Sequence, residues 1–117
     1  MADLNPAKCD LGLAVEVMAA RWKGDILWFL RAGPKRFTEL RALIPAVSPK
    51  VLTQKLRELE SHGLVARTQH AEIPPRVEYA MTPIGDSVIP ILDALAGWWR
   101  KHGQAVLRSQ AGARRRR

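Results

Sequence analysis

Residues 48–62 read SPKVLTQKLRELESH and are followed by Gly63. This stretch predicts one well-bounded α-helix. Ser48 can cap the free N–H groups of the first turn, and Pro49 suits the first helical position because its missing donor is not needed there. Gly63 suits a left-handed exit from the helix. At about 100° per residue, the leucines fall on one narrow stripe and most polar residues on the opposite side. The helix therefore has one face to dock and one to present.

The two faces of this helix differ in chemistry. The docking stripe consists of Leu52, Leu56 and Leu59, and the presented face of Lys50, Thr53, Gln54 and Arg57. Arg and Gln form paired hydrogen bonds with guanine and adenine edges, whereas Lys and Thr suit phosphates or the thymine methyl group. Taken alone, the pattern fits a DNA-reading helix and a solvated amphipathic helix equally well.

Two short runs after this helix predict a β-hairpin. Residues 64–69 and 77–81 contain β-branched and aromatic residues, and the segment 70–76, HAEIPPR, separates them. Pro74 and Pro75 cannot donate to a sheet ladder, so they belong in the connection. A helix followed directly by a hairpin is typical of a winged helix. In that geometry the helix enters the major groove, and Arg76 at the wing meets the DNA backbone or minor groove.

Residues 37–45 predict the first helix of a helix-turn-helix. Thr38 is the expected N-cap, and Pro45 ends the helix because the residue before a proline avoids the α region. Between positions 35 and 57 there are six Lys and Arg against one acidic residue. Since Lys and Arg displace condensed counterions from a duplex, this local excess favours DNA binding.

Several sequence blocks stand in an order that resembles a known family. The blocks are Cys9, Arg21-Trp22-Lys23, Ile26-Leu27, GPKRFTEL from Gly33, SPKVLTQ from Ser48, LREL from Leu56, GLV from Gly63, PPRVEY from Pro74 and TPIG from Thr82. Over roughly residues 9–102 the chain resembles the HxlR-type, MarR-like winged helix-turn-helix transcription regulators of prokaryotes. The resemblance implies a dimer that binds operator DNA and represses or activates genes, with 48–62 as recognition helix. Relatives commonly have Gly-Gly or Gly-Lys near Ala20 and Arg21, so we expect a different turn there.

We therefore expect a mainly α fold with a small β-hairpin (α+β), a winged helix-turn-helix with N-terminal and long C-terminal dimerisation helices. The expected DNA-contacting residues are Arg36, Thr38, Ser48, Pro49, Lys50, Thr53, Gln54, Arg57 and Arg76. The expected partner is double-stranded operator DNA, palindromic because a two-fold dimer reads matched half-sites. The alternative is a winged-helix module that binds protein instead of DNA, which would show no salt-dependent binding to random duplex.

The helix predicted from Pro83 to about residue 102 carries an apolar band too broad for one small wing to cover. Packing against the first helix of the same chain is one interpretation, and a second copy of the chain is the favoured one. The predicted homodimer interface comprises Leu11, Leu92, Leu95, Trp98 and Trp99.

Cys9 is the only cysteine, so an intrachain disulfide is excluded. Its position in the family implies a redox- or electrophile-sensing thiol. The nearby helix N-terminus and Lys8 favour the thiolate, whereas Asp10 opposes it. The alternative is a small buried hydrophobe at the helix start. A small-molecule effector is also compatible with the resemblance.

Composition limits the remaining classes. A chain of 117 residues with 47% hydrophobic and 26% charged residues suits one soluble domain, and no apolar run nears the ~20 residues that span a bilayer. We expect no membrane partner and a cytoplasmic protein. Cys9 and the three histidines are scattered, and there is no phosphate loop or nucleophile elbow. The sequence thus predicts no enzyme, no metal and no cofactor.

The positive charge is concentrated at the end of the chain. Residues 1–103 carry 14 Lys and Arg against 11 Asp and Glu, whereas 104–117 add five arginines and no acid. We expect the winged domain over 1–103 and a disordered basic tail over 104–117. Two roles are open for this tail, a sequence-independent DNA arm and a solubilising end.

Overall fold

The computed structural model describes residues 3–116. Along this part of the chain the elements are α1 (Asp10–Met18), α2 (Lys23–Leu30), α3 (Phe37–Leu43), α4 (Pro49–Ser61), β1 (Val65–His70), β2 (Arg76–Met81) and α5 (Pro83–Arg115). The two strands form one antiparallel hairpin. The predicted α+β winged helix-turn-helix class is confirmed.

The hydrophobic core is built where α2, α3 and α4 meet, and the start of the hairpin and α5 close it. Its buried members are Ile26, Leu27, Leu30, Leu40, Ile44, Val47, Leu52, Leu56, Leu59, Leu64, Val65, Val88 and Leu92. Each large aliphatic side chain contributes about 1.5–3 kcal/mol on burial. All three leucines of the predicted docking stripe of α4 are at most 1% exposed. Burial of this stripe fixes which side of α4 faces outward.

A junction after α4 sets the position of α5. Gly63 takes a left-handed conformation with φ of 79° and ends the helix, as its predicted C-cap role requires. The Thr82 hydroxyl donates to the Gly63 carbonyl at 2.6 Å and accepts from the Gly85 N–H at 3.1 Å. The Thr82 N–H also donates to the Leu64 carbonyl at 3.1 Å. The start of α5 is thereby held against the end of the helix-turn-helix.

The wing pairs in antiparallel register from Val65 with Met81 to His70 with Arg76. Each strand extends one residue closer to the tip than predicted, and the exposed connection is 71–75. Lys35 adds a bridge to β2, because its N–H donates to the Tyr79 carbonyl at 2.9 Å and its carbonyl accepts from the Tyr79 N–H at 2.8 Å. This bridge ties the loop before α3 to the wing.

Helix α5 differs most from the prediction. It has 33 residues and continues to Arg115, so the expected disorder from residue 104 is wrong as far as Arg116. Arg117 lies outside the described residues. The continuation has a physical cause, since it is rich in Ala, Leu, Gln and Arg and its basic end complements the helix dipole. At 1.5 Å per residue α5 is about 50 Å long.

The long helix makes the molecule elongated. The radius of gyration is 16.8 Å, against about 13 Å for a compact domain of this length. The principal extents are 59 × 35 × 25 Å. The second half of α5 therefore extends beyond the winged core.

Two local expectations change. The N-cap of α3 is Arg36 rather than Thr38, and the Arg36 N–H donates to a Glu39 carboxylate oxygen at 2.8 Å. The Glu39 side chain thereby reaches back to the backbone N–H of the N-cap residue, as the acid of a capping box does. In the turn after α1, Trp22 has φ of 72°, a region that bulky residues rarely adopt. The turn without Gly thus places its left-handed residue at the tryptophan.

Candidate nucleic-acid interface

The outer face of α4 presents three polar side chains without intrachain ionic partners. Lys50, Gln54 and Arg57 are exposed. No ion pair among residues 3–116 involves Lys50 or Arg57. Because the leucine stripe anchors the opposite side, these groups project from a helix whose orientation is fixed. The arrangement offers paired donors and an acceptor to an external polar surface.

The first turn of α4 is organised by two side-chain hydroxyls. Ser48 Oγ accepts from the Val51 N–H at 3.1 Å and so serves as the predicted N-cap. Thr53 is half-buried, and its Oγ1 donates to the Pro49 carbonyl at 2.9 Å. The Ser48 hydroxyl hydrogen is still available to an acceptor, whereas that of Thr53 is in use. Ser48 is therefore the better placed of the two to donate to a phosphate.

Arg36 and Thr38 lie at the N-terminus of α3, and both side chains are exposed. With the exposed Pro49 they complete the predicted set on the helix-turn-helix. The structure leaves their side chains accessible, and their contact with DNA stays a prediction.

The charged side chains of the wing pair with one another, so the Arg76 guanidinium already has carboxylate partners. Arg76 is half-buried, with Nη2 3.1 Å from Glu72 Oε1 and Nε 3.2 Å from Glu78 Oε1. His70 Nε2 lies 3.1 Å from the same Glu78 oxygen. Two carboxylates of the wing thus already neutralise Arg76, and its contact with the DNA backbone or minor groove stays a prediction. The hairpin register places His70 opposite Arg76, and Glu78 follows Arg76 by two positions on the same face of β2.

Sequence reasoning also missed a buried ionic cluster behind α4. Lys23 Nζ in α2 lies 3.0 Å from Glu58 Oε2 in α4, and Lys55 Nζ lies 3.5 Å from the same oxygen. Lys23 is 3% exposed and Glu58 8% exposed. Lys23 Nζ also donates to the Glu16 carbonyl of α1 at 2.9 Å. A signal was available, since Lys23 stands at helical spacing from Ile26, on the buried face of α2.

The charge state of this cluster follows from its geometry. Burial raises the pKa of Glu58, but the hydrogen bond and charge of Lys23, followed by those of Lys55, outweigh burial and hold the pKa below its ordinary value. Glu58 is therefore ionised at neutral pH. The charge of Lys55 is directed at Glu58 and is not free on the outer face, unlike that of Lys50 or Arg57.

A second surface is apolar and lies on α1 and α5. Leu11 is 73% exposed, Leu95 53%, Trp98 55% and Trp99 48%. Leu92 belongs to the core and is 6% exposed, so its assignment to a dimer interface is wrong. Periodicity could not separate Leu92 from Leu95, because both lie on the same apolar band and only their burial in the folded chain distinguishes them. Exposed Ile91, Val106 and Leu107 extend the surface.

A groove borders this apolar surface between the turn after α1 and helix α5. Its volume is about 500 Å³, and its lining includes Trp22, Trp28 and Leu95. Two guanidinium groups stack on the tryptophans, Arg21 over Trp22 at 4.8 Å and Arg31 over Trp28 at 3.7 Å. Because Leu95 belongs to both, the groove and the apolar surface are continuous.

Cys9 is the N-cap of α1. Its Sγ accepts from the Gly12 N–H at 3.4 Å, and the residue is exposed. The interpretation as a buried hydrophobe is wrong, since the chain before α1 does not cover the thiol. The sulfur thus accepts a hydrogen bond from the first turn of α1 while the residue stays open to solvent.

Within residues 3–116, no group of three His, Cys, Asp or Glu side chains is arranged to hold a metal ion. None of the helices described has both the length and the apolar character needed to cross a bilayer.

Comparison with known proteins identifies the class. Residues 17–106 match the family described as HxlR-like helix-turn-helix. The chain is 47% identical over 90 residues to the uncharacterized HTH-type transcriptional regulator YkvN of Bacillus subtilis. The aligned segment covers 77% of this chain and 76% of that protein. The chain therefore belongs to the HxlR-like helix-turn-helix family, as the order of its sequence blocks predicted. It is a transcriptional regulator of the helix-turn-helix type.

Solved structures agree with this assignment. The reduced form of the redox regulator HypR superposes with a TM-score of 0.81 at 34% identity, over 86% of this chain and 99% of that one. The diamide-treated YodB of B. subtilis superposes with a TM-score of 0.70 at 32% identity, over 81% of this chain and 95% of that one.

Proposed function

We propose that this regulator binds double-stranded operator DNA sequence-specifically as a homodimer. The recognition helix 48–62 enters the major groove, and the wing, 70–76, lies over the backbone or minor groove. Each protomer reads one half-site of a palindrome, because a two-fold dimer presents the same helix twice.

The observation that carries this proposal is the outer face of α4. Lys50, Gln54 and Arg57 are exposed on a helix whose other side is anchored by fully buried leucines. Gln54 and Arg57 lie about one turn apart, and among residues 3–116 neither the amide nor the guanidinium is bound by another side chain. A helix that is only solvated does not require this combination of side chains. Bidentate contacts with adenine and guanine use this pair of side-chain types.

The wing contributes less than the sequence indicated. Arg76 must exchange Glu72 or Glu78 for a phosphate before it helps binding. Such an exchange replaces an existing ion pair instead of adding a new one, so the net gain is small. Base reading and most of the phosphate contacts therefore fall to the helix-turn-helix.

Dimerisation is supported by the apolar surface of α1 and α5. Leu95, Trp98 and Trp99 of α5 are about half exposed, because the winged core covers them only in part. Large apolar and aromatic side chains in a contiguous patch are the usual anchors of subunit interfaces. The same helix in a second copy would cover them, and the arginines at its end would then flank the dimer as a sequence-independent DNA arm.

Cys9 is proposed as the redox-sensitive group. The thiol is exposed at the N-cap of α1, beside the proposed dimer surface that contains Leu11. Two Cys9 thiols of one dimer can lose two electrons and two protons to an oxidant such as diamide, whose N=N bond becomes a hydrazine, and form an intersubunit disulfide. A small thiol can instead form a mixed disulfide with each Cys9, with the same oxidant accepting the two electrons and two protons. Either product changes the packing of α1 and so the spacing of the two recognition helices.

The decisive experiment is selection from a random duplex library followed by footprinting. An enriched palindrome protected over two half-sites is the expected result. Binding to random duplex should weaken steeply with salt, because phosphate contacts release counterions. A protein that binds no duplex at low salt would instead be a winged module for protein partners.

A further inference from the structure

We propose that Lys23 is a positioning residue for sequence recognition, acting through Glu58 on the orientation of α4. This inference rests on the proposed function, since it concerns how the recognition helix is held for base reading. Lys23 itself is buried and does not face the outer surface of α4.

The Lys23 ammonium joins three helices. It belongs to the first turn of α2, donates to the Glu16 carbonyl in the last turn of α1, and pairs with Glu58 in α4. The carbonyls of a last helical turn have no partner within their helix, so this contact caps α1. One buried cation thus fixes the end of α1 and the inner flank of α4 relative to α2.

An ion pair fixes orientation in a way that the leucine stripe does not. Apolar side chains tolerate small rotations and shifts, whereas a buried charge pair is favourable only at short distance and good geometry. Buried pairs are weak sources of stability compared with apolar replacements of similar size. A charge pair inside this core therefore indicates that the orientation of α4 relative to α2 has to be held closely.

The residue spacing connects this geometry to base reading. Glu58 follows Gln54 by four positions and Arg57 by one. Because the helix is regular, the direction in which the Glu58 side chain projects determines the directions of the Gln54 and Arg57 side chains. For a helix whose side chains reach about 5–6 Å from the axis, a 20° rotation displaces a side-chain end by roughly 2 Å. Base-edge hydrogen bonds need donor–acceptor distances near 2.7–3.2 Å. Such a rotation would break a paired base contact while leaving phosphate contacts largely intact.

The test compares binding to two probes, the duplex that the wild-type protein enriches from a random library and a scrambled duplex of equal length and composition. The variants are Lys23→Met and the double variant Lys23→Met with Glu58→Leu. Lys101→Met, at an exposed lysine of α5, is the matched control. The measured quantity is the ratio of the two affinities at one salt concentration. Partial unfolding lowers both affinities by the same factor, so the ratio is insensitive to a loss of stability alone.

We expect Lys23→Met to lower the ratio about ten-fold, the loss of one paired base contact, and Lys101→Met to leave it unchanged. The double variant removes the unpaired carboxylate and should regain thermal stability, yet its ratio should stay low. A wild-type ratio in either Lys23 variant would overturn the inference. A wild-type protein without preference for any duplex would overturn the proposed function instead, and the two failures are thereby distinguished.

Discussion

Gly85, in the first turn of α5, packs directly against the carbonyl oxygen of Leu64 at the start of the wing. A Cβ at Gly85 would overlap that oxygen, and it would also press on the Met81 side chain at 3.3 Å. The contact lies beside the hydrogen bonds of the Thr82 hydroxyl, which join the end of α4 to the start of α5. A residue without a side chain is therefore required at this junction.

Gly85→Ala should lower the free energy of unfolding by about 3 kcal/mol, because the backbone of Leu64 must shift to admit the methyl group. Gly97→Ala is the matched control in the same helix, since the nearest atom to its added Cβ is the end of Arg100 at 3.7 Å. The control should gain about 0.5–1 kcal/mol from helix propensity. Urea unfolding of both variants measures the difference. Equal stabilities would show that the junction is less tightly packed than described.

Replacing Gln54 or Arg57 with alanine should cost about 1–3 kcal/mol on the selected operator and relax discrimination at one base position. The reason is the loss of a base-edge contact from the exposed face of α4. Lys50→Ala should weaken all duplexes alike and reduce the salt slope. Fluorescence anisotropy against operator and single-base variants measures both effects. The base-reading assignment fails if Gln54→Ala and Arg57→Ala weaken operator and random duplex by the same factor.

Leu95→Glu should convert the dimer into monomers, because the new charge would be buried without a partner in the apolar surface of α5. Operator affinity should fall, since each half-site would then hold one protomer alone. Gln104→Glu adds the same charge nine positions later, on the opposite side of the helix, and should leave the dimer intact. Sedimentation of all three proteins at tens of micromolar, an estimate well above ordinary dimer dissociation constants, provides the measurement. A monomeric wild type would contradict the proposed assembly.

The stability contributed by Glu58 should depend on pH in a defined direction. Its pKa in the folded chain lies below the ordinary value of 4.5, so ionised Glu58 stabilises the fold above that pH and the contribution is lost as pH falls below it. The difference in unfolding free energy between wild type and Glu58→Gln should be largest near neutral pH, about 3 kcal/mol for a broken buried pair, and should shrink in acid. Glu16, whose pKa is also lowered by its hydrogen bond with Lys8, is common to both proteins and cancels. A difference independent of pH would contradict the assignment.

Diamide treatment should change the operator affinity of the wild type and leave Cys9→Ser unaffected. The exposed thiol is the only cysteine in the chain, so no other residue can form the disulfide. Non-reducing electrophoresis should show a covalent dimer that dithiothreitol reverses. Unchanged wild-type affinity after treatment with diamide, peroxide and a quinone would make Cys9 a structural cap, and an equal change in the serine variant would place the effect elsewhere.

Much of the fold was predictable because its signals are local. The caps Ser48 and Gly63 stand at the two ends of the helix that they were expected to bound. The docking stripe of α4 and the hairpin followed from periodicity and from two prolines. The sequence predicts too short an α5, because a basic composition alone does not distinguish a disordered tail from a helix that propensity and an already formed helix suffice to continue.

By itself, the sequence determined the class of fold, the outer face of the recognition helix and the position of the single cysteine, because each depends on spacing along one element. Only the tertiary structure decided the pairing of Arg76 with Glu72 and Glu78, the burial of Leu92 and the contact of Lys23 with Glu58. The pair of Lys23 with Glu58 joins α2 to α4, the pair of Arg76 with Glu72 joins β2 to the wing connection, and the pair of Arg76 with Glu78 lies within β2. Charge and burial depend on what the fold brings within a few ångströms, and spacing along one element does not encode that neighbour.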